Sequence, residues 1–274
     1  MADVSFGQYY PANSFVHKCD PRLKILFFIL YIVAIFLADN FYALGIAAVF
    51  FIIIAISAKI PFRSLLRSVK GILFLLLFTA ILNLFFYTGD PEKDTLWAEW
   101  WIFRIWDGAV YFTLFLAARL TLLVLVSSLL TLTTSPVSLT DGLESILFPL
   151  KLIKFPVHEL ALIMSIALRF IPILTDETAR IINAQKARGA DFESGGLIKR
   201  IKAIIPVLIP LLISAFRRAD ELGDAMDARC YSGSKVRTKY KKLTFGYRDL
   251  IATIFGLALL AGIILLRIYV APVI

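Results

Sequence analysis

The sequence predicts an all-α membrane protein of about five transmembrane helices with two further long helices on the cytoplasmic side. Three observations predict it. Of 274 residues, 59% are apolar and only 18% charged, with a mean hydropathy of +0.82. A soluble chain of this length would divide at about 150 residues per domain. This balance instead excludes disorder and requires lipid to bury the apolar runs. Second, those runs recur at close to the ~20 residues that a bilayer core demands. Third, the basic residues behind the net charge of +9 are segregated by loop.

Asp20-Pro21 starts the first span, with Asp as cap and Pro at the first helical position, and the helix runs to Ala38 if Arg22 and Lys24 snorkel. Residues 1–20 are mostly polar or aromatic and lack the pattern of a cleavable signal, so the first hydrophobic segment is retained. Asp39-Asn40 turns the chain into a second span, Phe41 to Ile60. A third runs from about Gly71 to Tyr87, a fourth from about Gly108 to Thr134, and the last from Leu250 to Val270. The organisation is therefore a four-span membrane region over residues 1–134, a cytoplasmic region of long helices over 135–248 and a final span within 249–274.

Loop charge gives the orientation. Lys59, Arg63, Arg67 and Lys70 follow the second span without an acid, whereas Gly89 to Asp107 holds Asp90, Glu92, Asp94, Glu99 and Asp107 against Lys93 and Arg104. By the positive-inside rule the first loop is cytoplasmic and the second external; Trp97, Trp100, Trp101 and Trp106 in the latter suit the headgroup level. The amino terminus is then inside and the carboxyl terminus outside. Within 135–248, the apolar runs Leu160–Leu174 and Ile204–Phe216 are short, contain proline and continue into charged tails. They read as helices projecting from the membrane. Two more spans with a reversed carboxyl terminus remain the alternative.

The tails repeat one another. Asn183-Ala184-Gln185-Lys186-Ala187-Arg188-Gly189 aligns with Asp224-Ala225-Met226-Asp227-Ala228-Arg229-Cys230. On a helix each arginine has an alanine beside it and another four residues back, Ala184 or Ala225, so the guanidinium tips a narrow rod. Ile181 and Leu222, seven residues before, add an apolar contact strip. Arginine stays charged when partly desolvated and presents a fork of donors, so the pattern points to an acidic or carbonyl-lined cleft on a protein partner. Arg188-Gly189 taken alone reads equally as a helix stop. Asp176 with Arg180 and Arg217 with Glu221 are spaced as i,i+4 ion pairs along the rods.

These stretches, Ala184 to Phe192 and Ala225 to Tyr231, together with Asp20-Pro21-Arg22-Leu23-Lys24, resemble the transmembrane T component of energy-coupling factor (ECF) transporters, importers of vitamins and metal ions of the ABC type. The resemblance covers nearly the whole chain. It implies that the two long helices are coupling helices, which cross one another and insert arginine-centred tripeptides into grooves on two ATP-binding subunits. Here those are Ala187-Arg188-Gly189 and Ala228-Arg229-Cys230, with Ala184, Ala225, Ile181 and Leu222 as supporting contacts. The Cys in the second place of Gly hints at two different grooves, and so at unlike ATPases. A separate substrate-binding S component would sit in the membrane part, in a bacterial or archaeal plasma membrane.

No catalytic residue, metal site or cofactor of the chain's own is expected. There is no phosphate-binding glycine loop, no His-Glu-x-x-His and no Gly-x-Ser-x-Gly, and Cys19 and Cys230 lack partner spacing. ATP and magnesium would belong to the partner ATPases. His158-Glu159, after Pro156, reads as a helix start. Arg119, inside the fourth span, is expected to face protein and pair with a carbonyl or an acid, as structural glue rather than a transport site. The rival reading is a self-contained secondary transporter or channel. Membrane lipids are expected to meet Lys235, Arg237, Lys239, Lys241 and Lys242 in either case, and no nucleic acid is.

Overall fold

The computed structural model describes residues 9–86, 96–100, 103–192, 196–231 and 245–269. These fall into two compact units, residues 9–157 with 245–269, and residues 158–231. The run of lysines and arginine at 235–242, the acids Asp90, Glu92 and Asp94, and Trp101 lie outside the described residues.

The first unit is a helical bundle. In chain order it contains α1 (Pro21–Leu37), α2 (Phe41–Ala58), α3 (Phe62–Phe86), a hairpin of β1 (Leu96–Trp100) and β2 (Phe103–Trp106), α4 (Asp107–Thr133), α5 (Pro136–Leu147), a 3-10 helix (Phe148–Ile153) and α8 (Tyr247–Tyr269). As its sequence predicts, α1 starts with the Asp20 side chain accepting from the Arg22 N–H at 2.8 Å and Pro21 in the first turn. Fully buried Ala34, Ala43 and Ala47 let helix backbones approach closely. The Tyr31 hydroxyl uses that approach to donate to the Ala47 carbonyl at 2.7 Å. Phe50 stacks on Phe255 of α8 at 4.3 Å between centroids, and Phe41 meets Phe115 of α4 edge-on at 5.4 Å. On the far side Ser68 of α3 is joined to Ser128 of α4, Oγ to Oγ, at 2.7 Å.

Two polar clusters close the ends of α1 and fix helix direction. At its start, Asp249 of α8 accepts from the Asp20 N–H at 2.9 Å and the Gly246 N–H at 2.8 Å. Lys24 Nζ donates to the Thr133 carbonyl at the end of α4 (3.1 Å) and to the His17 carbonyl (3.2 Å). At its far end, Asp39 pairs with Arg267 of α8 at 2.9 Å, and Arg119 of α4 donates to the Ala38 carbonyl while its guanidinium lies 4.6 Å from the Phe115 ring centroid. Hence α1 and α8 are parallel and α4 is antiparallel to both. Arg119 finds the carbonyl its sequence setting anticipates, but level with the α1–α2 turn rather than in mid-span. The first twelve residues of α4, roughly 18 Å of rise, extend beyond α1.

Among the described residues five helices, α2, α3, α4, α8 and a further helix α6 (Val157–Ala187), are long and apolar enough to cross a membrane. The chain is thus an all-α membrane protein, with differences of detail from its sequence pattern. The 17 residues of α1 give only about 26 Å, short of a ~30 Å hydrocarbon core, and α6 takes its place in the set. α3 begins at Phe62, not Gly71. Arg63, Arg67 and Lys70 are good helix formers with stems that snorkel, so the basic stretch winds on to the span as its first turns. The hairpin also departs from an all-helical expectation. Its short aromatic runs have strand propensity, and they pair antiparallel with Trp100 opposite Phe103 and an irregularity between Leu96 and Ala98.

The segment before α1 is tied down by His17. Its Nδ1 lies 2.7 Å from the Ser14 hydroxyl, its Nε2 donates to the Tyr10 carbonyl at 2.9 Å, and the Tyr10 N–H reaches the Leu132 carbonyl at 3.0 Å. Burial, with the Lys24 charge adding, holds the imidazole below its ordinary pKa of 6.5. A depressed base stabilises the fold above its unfolded pKa and loses that contribution as pH falls through the folded value. Protection factors at Tyr10 and His17, corrected for the intrinsic exchange rate, are therefore expected to fall below pH 6.5 relative to those in the α1 interior, and His17→Gln to flatten that dependence.

Candidate docking site

The second unit consists of α6 (Val157–Ala187) from its second residue onward and α7 (Leu197–Ala228). Both stay continuous through internal prolines, Pro172 in α6 and Pro206 and Pro210 in α7. Arg218 Nη2 of α7 meets Glu177 Oε2 of α6 at 3.3 Å, and Gln185 Nε2 donates to the Pro206 carbonyl at 3.5 Å. Moving forward on α6 from Glu177 to Gln185 moves backward on α7, so the helices are antiparallel. The i,i+4 pairs Asp176–Arg180 and Arg217–Glu221 are not among the ion pairs of the described residues. The acid–base contact that forms between described residues here joins the two helices instead.

Both rods finish with the same backbone device. In α6 the Gly189 N–H bonds the Lys186 carbonyl and the Ala190 N–H bonds the Gln185 carbonyl, each at 3.0 Å. In α7 the Cys230 N–H bonds the Asp227 carbonyl at 2.8 Å and the Tyr231 N–H bonds the Met226 carbonyl at 3.0 Å. These are Schellman caps, matched bond for bond, with Gly189 (φ 87) and Cys230 (φ 56) in the left-handed position. Arg188 and Arg229 are the residues at the cap, where the positive charge also suits the helix dipole. The stop signal legible in Arg188-Gly189 is thus real, and each arginine sits at such a stop.

Exposure repeats as well. Ala184, Ala187, Arg188 and Gly189 are exposed, as are Ala225, Ala228, Arg229 and Cys230; Ile181 and Leu222 are half-buried one turn below. The bonds from Arg218 and Gln185 lie between the tips, so rise per residue separates Arg188 from Arg229 by on the order of 30 Å. Sequence reasoning singles out the arginines and alanines and includes Ala190 and Tyr231 in the matching stretches, but gives those two no part in completing the caps. The signal available was a left-handed residue followed by an apolar one after each arginine. Cys230 is the costlier occupant, since a Cβ in that conformation costs about 1–2 kcal/mol. Cys230→Gly is expected to raise the exchange protection of the Tyr231 amide roughly fivefold, about 1 kcal/mol. Gly189→Val is expected to lower that of Ala190.

Residues 12–240 match the family model described as cobalt transport protein, CbiQ. The energy-coupling factor transporter transmembrane protein EcfT of Ruminiclostridium cellulolyticum is 46% identical over 267 residues, covering 97% of this chain and 98% of its own. That of Brevibacillus brevis is 47% identical over 259 residues, covering 94% and 96%, and that of Bacillus subtilis 41% over 264 residues, covering 96% and 98%. The chain belongs to the EcfT family. It is the transmembrane, energy-coupling subunit of an ECF transporter and a multi-pass membrane protein.

Proposed function

We propose that Ala187-Arg188-Gly189 and Ala228-Arg229-Cys230 dock into two ATP-binding subunits, with Ala184, Ala225, Ile181 and Leu222 lining the contact, and that α6 and α7 carry the ATPases' motion to a separate S component. The observation behind this reading is the bond-for-bond identity of two exposed, arginine-bearing caps about a small domain's diameter apart. Two seats at that spacing suit two neighbouring subunits. Nucleotide and magnesium belong to those subunits; vitamin or metal-ion choice belongs to the S component. Closing of the ATPases moves the seats toward one another, and the antiparallel pair, held by Glu177–Arg218 and Gln185–Pro206, converts that approach into a shift of the helices.

Chain parity supports a one-sided placement of the coupling region. α4 ends and α8 begins at the same end of the bundle, beside Lys24 and Asp249, so the chain between them crosses the membrane an even number of times. Among the described residues α7 is not among the helices long and apolar enough to span, which favours reading α6 and α7 as a pair that stays on one side. Loop charge assigns that side to the cytoplasm and the carboxyl terminus to the exterior of a prokaryotic plasma membrane.

Reconstitution tests the reading. Liposomes holding the chain with two ATPases and an S component are expected to accumulate the S component's substrate only with ATP. Sustained selective uptake by the chain alone would overturn the coupling role in favour of a self-contained secondary transporter or channel.

A further inference from the structure

Between α5 and α6 the sequence reads Phe148-Pro149-Leu150-Lys151-Leu152-Ile153-Lys154-Phe155-Pro156. The 3-10 helix Phe148–Ile153 is closed by Lys154, whose left-handed backbone (φ 61) turns its N–H on to the Leu150 and Lys151 carbonyls. Apolar side chains point away from the bundle: Leu152 is 90% exposed, Ile153 81% and Phe148 63%. A contiguous exposed apolar patch on so short a segment marks a surface that is covered in use. The charged residues interleaved with it are two lysines, without an acid.

Its height relative to the bundle is fixed by α5. Ser135 caps α5 two residues after Thr133, whose carbonyl holds Lys24. Farther along, Gly142 rests against α1, where an added Cβ would come within 3.2 Å of the Pro21 backbone. The first half of α5 therefore stays within a turn of the α1 start, at the end of the bundle where Asp20, Lys24 and Asp249 are buried. The apolar 3-10 helix is carried from there, at the level where span ends meet headgroups.

We propose that residues 148–155 are an interfacial anchor for anionic phospholipid: Phe148, Leu152, Ile153 and Phe155 enter the acyl boundary of the leaflet on the α1 amino-terminal side, and Lys151 and Lys154 stay at its phosphates. Alternating long apolar and cationic side chains are the chemistry of an interfacial segment, in which lysine stems reach up to phosphate while their neighbours sink. Lys151 already folds back over the Phe148 ring, 5.7 Å from its centroid, which keeps charge and apolar surface on one short arm. The consequence is that the entry to α6 is held at the membrane surface.

Nitroxide labels on Leu152→Cys and Ile153→Cys, in the full chain carrying Cys230→Ser, test this in phosphatidylglycerol vesicles. Relative to a label at exposed Asp220→Cys on α7, oxygen collision is expected to be severalfold higher and collision with a soluble nickel chelate severalfold lower. Nickel accessibility equal to the Asp220 reference would mean water and overturn the anchor. Low accessibility to both reagents would mean a protein cover and overturn it equally. Lys151→Glu with Lys154→Glu is expected to move the Ile153 label outward in phosphatidylglycerol and not in phosphatidylcholine; the same behaviour in both lipids would sink the role of the phosphates.

Discussion

Arg188→Glu combined with Arg229→Glu is expected to abolish copurification of the ATP-binding subunits while leaving the chain folded in the membrane. Reversing a charge seated in a complementary groove costs about 2–5 kcal/mol, and even 3 kcal/mol lowers affinity more than a hundredfold. The folding cost is small by comparison. Both tips are exposed and the caps are made by backbone groups, so an acid there forfeits only the dipole contribution of about 0.3–1 kcal/mol. Single variants carry separate information. If the two ATPases are unlike, Arg188→Glu and Arg229→Glu should each release one of them first; if alike, the two should weaken binding to a similar degree. Retention of both ATPases by the double variant at wild-type stoichiometry would end the docking reading. ATP-driven uptake should fall in parallel, whereas binding of the S component's substrate should not.

Asp249→Ala is expected to be the most destabilising single change in the bundle, at about 3–5 kcal/mol, read as a drop in the thermal unfolding midpoint in detergent. Asp249 is 5% exposed and its two oxygens accept from the Asp20 and Gly246 N–H groups. Truncation leaves those buried donors unpaired and removes a negative charge from around Lys24, itself 9% exposed. The cluster ties the first helix to the last across 229 residues of sequence. Its loss should therefore loosen α8 before α2 or α3 in hydrogen exchange. A change within about 0.5 kcal/mol of wild type, the range of ordinary surface substitutions, would show that apolar packing alone holds α8.

Much of this was legible in the sequence, for identifiable reasons. Spans are long-range averages of hydropathy, and Phe41–Ala58 and Asp107–Thr133 emerge within two residues of their expected ends. Asp20-Pro21 is a local signal and gave the start of α1 directly. The arginine tips were visible because the chain repeats them. What stayed hidden depends on neighbours far away in sequence. Glu177–Arg218 forms in place of the expected i,i+4 pairs because the second long helix crosses the first there, a meeting that spacing along one helix does not reveal. Arg119 looked deep in a span because sequence cannot show that α4 outruns α1. The hairpin was missed because Leu96–Trp100 and Phe103–Trp106 are too short for periodicity to separate strand from loop.

The unequal caps have a practical outcome. Cys19 is buried, its Sγ donating to the Phe15 carbonyl at 3.4 Å, and burial pushes its thiol up from the ordinary range. Cys230 is exposed at the very position Gly189 occupies on the other helix. A maleimide should therefore alkylate one rod end and spare the rest of the chain, making the native thiol a ready-made footprint of engagement: quick to label when that seat is empty, slow when it is filled.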